Sequence, residues 1–171
     1  MVKSFEITNC PVRVAKFIPR KQYIIVGSDD NKIRVYNYNT SEKVKTIDEH
    51  SDFIRHIIVH PTLPYVLSCG DDDPILMFDW EKNWQRVNSY EDHTHYVMQM
   101  ALNPKDDNIF ASASLDKTIK IWTISTSPNT KANYSLVGHE TGVNCLDFCR
   151  EIDRPHIVSG ADGGCVKIWD Y

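Results

Sequence analysis

Residues 110–122 read FASASLDKTIKIW, and three other stretches read the same way: IIVGSDDNKIRVY (24–36), VLSCGDDDPILMF (66–78) and IVSGADGGCVKIW (157–169). Each is an apolar run, a small-residue stretch, an Asp-bearing turn and an alternating run that closes on an aromatic. The closing aromatics are Tyr36, Phe78, Trp122 and Trp169, spaced 42, 44 and 47 residues apart. A recurrence of this length marks a repeat architecture.

A second series precedes three of the four: Glu49-His50, Asp92-His93 and Gly138-His139, each followed by an alternating segment, FIRHIIVH, YVMQMALN or GVNCLDFC. Period-2 alternation broken by turn residues every 8–12 positions is the pattern of short strands. No stretch sustains a 3.6-residue apolar period. The expectation is an all-β chain with roughly four strands per repeat, as in a β-propeller blade. The repeats are placed at 9–47, 48–90, 91–136 and 137–171, with residues 1–8 as the outer strand of a preceding blade.

Composition fits one folded unit. The chain has 171 residues, 42% hydrophobic and 25% charged, enough to bury a core. Its net charge of −4 disfavours a nucleic-acid binder. No run of about 18 apolar residues encodes a membrane span, and the first residues lack the apolar stretch of a secretory signal. The cysteines Cys10, Cys69, Cys145, Cys149 and Cys165 show no metal-ligand spacing. Reduced thiols in a cytosolic chain are expected, with the sequons at Asn39 and Asn133 unused. No cofactor is expected.

The repeated polar residues admit two readings. His93, Ser112 and Asp116 could form a hydrolase triad. The same residue types recur as His50, Ser68 and Asp72, and as His139 and Ser159 with Gly163 in the Asp position. A catalytic site is made once, whereas a structural network recurs in every blade. A recurring structural network is therefore favoured over catalysis; a resemblance to the WD40 family, carried by Gly138-His139 and Trp169-Asp170, implies that it is a buried tetrad of His, Ser, Asp and Trp, complete only in the third repeat, where Trp122 closes it. Repeat one has Val26 for Ser and no His. Repeat two has Phe78. Repeat four has Trp169 but no Asp. Other signals have bland readings: Cys145 and Cys149 as core packing, residues 160–164 as a tight turn, and Asp71-Asp72-Asp73 as a turn without calcium-loop spacing.

At Gly138-His139 and Trp169-Asp170 the chain resembles the WD40 family. Segments 9–40, 50–68, 78–84, 93–100, 103–122 and 139–148 resemble, more narrowly, the N-terminal propeller of the coatomer β′ family. The polar loop 124–135 matches least. The resemblance implies about four blades of an expected seven, an open arc or fragment. It implies a non-enzymatic subunit of the COPI coat that recognises C-terminal dilysine signals (Lys-Lys-x-x or Lys-x-Lys-x-x) on cargo for Golgi-to-ER transport. Its partners would be those tails and other coatomer subunits, notably the α subunit. It would sit in the cytoplasm, on Golgi membranes and COPI vesicles, held through the coat without insertion.

Equivalent repeat positions fall in rings on one propeller face. The first ring holds Cys10, Asp52, His95 and Thr141. The second holds Arg13, Arg55, Met98 and Asn144. The third holds Asp29, Asp71, Leu115 and Asp162. The resemblance assigns Asp52, Asp71 and Asp162 to the lysines and Arg13 to the terminal carboxylate; Arg55 lies near this peptide-binding group and is read as orienting Asp52. Carboxylates surrounding an ammonium and a guanidinium fork on a carboxylate are sound chemistry. A general WD40 scaffold binding another peptide on this face, and a shortened product without independent function, stay open at this point.

Overall fold

The computed structural model describes residues 3–127, 130–150 and 156–170. Alternating β-branched and aromatic residues form four antiparallel sheets. Blade one comprises β1 (Val12–Ile18), β2 (Tyr23–Ser28), β3 (Ile33–Asn37) and β4 (Lys43–Ile47). Blade two comprises β5 (Ile54–Val59), β6 (Tyr65–Gly70), β7 (Ile75–Asp79) and β8 (Gln85–Tyr90). Blade three comprises β9 (Val97–Leu102), β10 (Ile109–Ser114), β11 (Thr118–Thr123) and β12 (Tyr134–Val137). Blade four has β13 (Val143–Phe148), β14 (His156–Ala161) and β15 (Cys165–Asp170). Each sheet is a simple meander in chain order.

The inner strands pack in series, β1 on β5, β5 on β9 and β9 on β13, with no packing of comparable extent from β13 back to β1. Three apolar seams fill the spaces between blades. The middle one stacks Phe110 on Trp122, with Tyr90 edge-on to both. Each aliphatic or aromatic side chain so buried contributes about 1.5–3 kcal/mol. Trp80 and Trp84, from the β7–β8 hairpin, pack into the seam between blades one and two.

The series ends openly. On the far side of blade four Val166 and Ile168 are 70% and 73% exposed, and among the described residues β15 pairs with β14 alone. The four repeats thus make a partial propeller.

Three expectations change. Among the described residues, 3–8 carry no strand. The segment lies on blade one instead: Lys3 Nζ donates to the carbonyls of Tyr38 and Asn39, and Phe5 packs on Tyr36. Cys145 is exposed, not core, since it points to the uncovered side of blade four. The third blade's outer strand runs one residue past the expected boundary, to Val137. Met1, Val2, Pro128, Asn129 and Tyr171, within the expected repeats and loop, lie outside the described residues, as do residues 151–155.

Candidate functional site

The recurrent His, Ser and Asp residues tie strands to turns. In blade three His93 Nδ1 lies 2.6 Å from an Asp116 oxygen, and Nε2 lies 2.7 Å from Ser112 Oγ. Trp122 Nε1 donates to the same hydroxyl at 2.8 Å. An ionised carboxylate only accepts, so Nδ1 carries the proton. In the neutral ring Ser112 then donates to Nε2 and accepts from Trp122. Blade two repeats this with His50, Ser68 and Asp72, lacking only the indole. Blade four has His139, Ser159 and Trp169, lacking only the carboxylate. Ser112 is 0% exposed, so no substrate reaches its hydroxyl and the triad reading fails.

The Asp116 carboxyl illustrates the balance. Burial alone would raise its pKa, but the hydrogen bond and charge of His93, with bonds from Thr118, hold it well below the usual carboxylate range.

Blade one substitutes a different network, which the sequence reading missed. Asp30 accepts from Thr8 Oγ1 (2.9 Å), Ser28 Oγ (2.6 Å) and both terminal nitrogens of Arg34 (3.0 and 2.6 Å). Arg34 lowers the pKa of Asp30 most. Thr8 stands 42 residues before His50 and does its work. That spacing was the available signal.

Above the tetrads lies the ring face. In every blade the inner strand is bulged at the second-ring position. Pairing jumps from Val12 to Val14, from Ile54 to His56, from Val97 to Gln99 and from Val143 to Cys145. The skipped residues are Arg13, Arg55, Met98 and Asn144. A bulge re-aims its extra side chain. The third ring is pinned by one repeated backbone bond: the N–H of Asp29, Asp71, Leu115 and Asp162 donates to the carbonyl of Pro11, Phe53, Tyr96 and Gly142, at 2.9–3.0 Å.

The two rings therefore meet within each blade. Arg13 forms a bidentate pair with Asp29 at 2.8 and 2.5 Å. Arg55 does the same with Asp71 at 2.7 and 2.5 Å. Asn144 Nδ2 donates to Asp162 at 2.5 Å. The two ion pairs feel each other's charge, and the bond from Arg13 lowers the pKa of Asp29. The expectation that Arg55 orients Asp52 is corrected: the bulge turns its guanidinium onto Asp71.

Asp52 sits half-buried, one carboxylate oxygen accepting from the Phe53 N–H at 2.8 Å. Asp162 is exposed. Neither has a cationic partner among the described residues. In the first ring Thr141 accepts from the Gly163 N–H, His95 accepts from the Tyr96 N–H, and the Cys10 N–H donates to Thr8. The ring face thus carries two carboxylates without a cationic partner among the described residues, Asp52 at blade two and Asp162 at blade four, and two guanidiniums that are already paired, Arg13 and Arg55.

The WD domain, G-beta repeat model matches residues 2–37, 41–73, 84–123 and 130–170. The chain is similar to coatomer subunit β′ of Homo sapiens and of Rattus norvegicus, 53% identical over 162 residues in each case, which is 95% of this chain and 18% of the relative. It is also similar to coatomer subunit β′-2 of Arabidopsis thaliana, 55% identical over 171 residues, or 100% of this chain and 18% of the relative. The chain therefore spans about a fifth of the length of these relatives. With four matched repeats folded as four blades, the chain belongs to the WD40 repeat family.

Proposed function

We propose that this chain is the tail-recognising segment of a COPI coat subunit and that its ring face holds C-terminal dilysine signals of membrane cargo. The observation that carries the reading is the pair of cation-free carboxylates, Asp52 and Asp162, set on the same face as Arg13 and Arg55. The similarity to coatomer β′ subunits supports the coat role. Association with other coatomer subunits, the α subunit among them, and placement at Golgi membranes through the coat belong to the same proposal.

The chemistry follows from what each group has left to offer. A lysine ammonium has three donors and no fixed plane, so Asp52 and Asp162 can each take one. Asp71 shares its charge with Arg55 and contributes field more than a vacant acceptor. Arg13 uses two of its N–H groups on Asp29, and its side chain is 43% exposed. Its remaining N–H edge can receive a terminal carboxylate. Hydrogen bonds to charged groups contribute about 1.5–3 kcal/mol each, less where solvent screens them.

The test is peptide affinity by fluorescence anisotropy, with a tail ending in Lys-Lys-x-x as a free acid and as its amide. The free acid binds more tightly, and Asp52→Lys or Asp162→Lys weakens it at least tenfold while the thermal melt stays cooperative. Affinity unchanged by either reversal sinks the site. Affinity indifferent to the free carboxylate favours a general peptide scaffold instead.

A further inference from the structure

We propose that blade three forms an apolar subsite within this face, selecting an uncharged, apolar side chain of the lysine-bearing tail. The proposal rests on the tail-receptor reading above.

Blade three lies between blades two and four in the packing series. Asp52 belongs to the loop entering blade two, and Asp162 to the β14–β15 turn of blade four. Blade three thus lies between the two carboxylates, and a tail that sets one ammonium on each spans from blade two to blade four. In blade three the positions that hold Arg13–Asp29 and Arg55–Asp71 in the first two blades hold Met98 and Leu115 instead. Met98 is the bulge residue, aimed as Arg13 and Arg55 are. Leu115 is pinned by its N–H to the Tyr96 carbonyl at 3.0 Å. Gly142 backs it closely: a Cβ there would stand 2.7 Å from Leu115 Cδ2 and 3.2 Å from an Asp162 oxygen. Leu115 therefore adjoins the blade-four carboxylate. Tyr96, whose carbonyl takes that Leu115 bond, is exposed, with its ring edge-on to His95.

A polar side chain crossing this stretch gives up water and finds neither charge nor amide in the Met98 and Leu115 side chains. An apolar one removes its own surface and theirs from water, and the unbranched methionine adapts to its shape. The expected selectivity for leucine over serine at the uncharged tail positions is about tenfold.

The experiment uses the whole chain and two free-acid peptides, ending Lys-Leu-Lys-Leu-Leu and Lys-Ser-Lys-Ser-Ser, read by anisotropy. Lys→Ala copies of each peptide control for lysine dependence. The native chain binds the leucine tail about tenfold more tightly. The double variant Met98→Arg/Leu115→Asp installs the ion pair that blades one and two already carry, and the preference collapses to within about twofold. Leu115→Ser keeps the backbone bond to Tyr96 and reads the same loss should the double variant not melt cooperatively. Equal affinity for the two tails in the native chain, or a preference that survives both variants, overturns the subsite while lysine-dependent binding stands. Binding that ignores the lysines overturns the tail-receptor reading, and the subsite with it.

Discussion

Blade four lacks one element of the tetrad, and supplying it should stabilise the protein. In blades two and three the carboxylate takes a bond from the histidine Nδ1, at 2.8 and 2.6 Å, and another from the following backbone N–H, Ser51 at 2.9 Å or Thr94 at 3.2 Å. Among the described residues His139 makes one side-chain hydrogen bond, between its Nε2 and Ser159 Oγ at 2.7 Å. Gly163→Asp offers a partner to Nδ1 and to the Glu140 N–H. A hydrogen bond to a charged group contributes about 1.5–3 kcal/mol, and the exposed turn places the gain at the low end. Gly163 is not left-handed, so a side chain there also trims the freedom of the unfolded chain, by about 0.4–1 kcal/mol. Against this, the new Cβ would lie 3.1 Å from Thr141 Oγ1 and 3.4 Å from its Cγ2, so Thr141 must yield slightly. The net expectation is a gain of about 1 kcal/mol, or about 2–4 °C in melting temperature for a chain of this size. Gly163→Ala carries the steric and chain-entropy effects without the carboxylate. A double-mutant cycle with His139→Gln isolates the new pair. The His139 pKa, now lowered by burial and by Lys167, should rise in an NMR titration. A Gly163→Asp protein no more stable than Gly163→Ala, or a cycle with no coupling, would refute the tetrad logic.

Ser112→Ala strands both the Trp122 N–H and His93 Nε2, and should cost about 3 kcal/mol, whereas Ser68→Ala strands His50 alone and should cost about half that; equal losses in urea denaturation would contradict the account. Asp30 is held below its ordinary value of 3.8, chiefly by Arg34, and Asp92 is lowered to about 2, chiefly by Lys131. Asp116 is lowered too, His93 outweighing its burial. A depressed carboxylate stabilises fully above its unfolded value and loses that contribution as pH falls toward the folded one. The melting temperature should therefore fall between pH 5 and pH 3, less steeply in Asp30→Asn; a flat profile would contradict the assignment. Gly70→Ala would drive a Cβ into the carbonyl oxygen of Phe53, a backbone atom that cannot move aside, and should cost about 3 kcal/mol or more, read as loss of soluble, cooperatively melting protein.

The repeats, the strand count of each full blade and the three histidine networks were legible because each is a local pattern that recurs. Alternation says which way a strand residue faces, and closing aromatics at spacings of 42 to 47 mark the third strand of each blade. Where a pattern changed its chemistry it became hard to read. Thr8 and Arg34 replace a histidine network without sharing a residue type with it. The direction of Arg55 was hidden for another reason. Alternation assigns side chains by counting in twos, and a bulge breaks the count. The expected partner was Asp52, three residues away, whereas the bulge delivers the guanidinium to Asp71. Cys145 was misplaced because its strand lies at the open side of the arc, where alternation no longer implies burial.

The bulges also explain how one blade design can carry different surfaces. The tetrads lie within the sheets, where a polar atom without a partner is costly, so from blade two to blade four they differ by one member at a time, while blade one replaces the histidine network outright. The bulge residue is released from the sheet's pairing, and the third-ring residue is held by its backbone N–H, not its side chain. Neither side chain is needed for the strands to pair. Two such positions can therefore be Arg and Asp, Met and Leu, or Asn and Asp while the same backbone bond, at 2.9–3.0 Å, persists in all four blades. The ring face is accordingly where ligand selectivity can change without disturbing the fold, and substitutions there should alter peptide affinity with little change in melting temperature. Substitutions one layer down, at His93 or Ser112, should do the reverse.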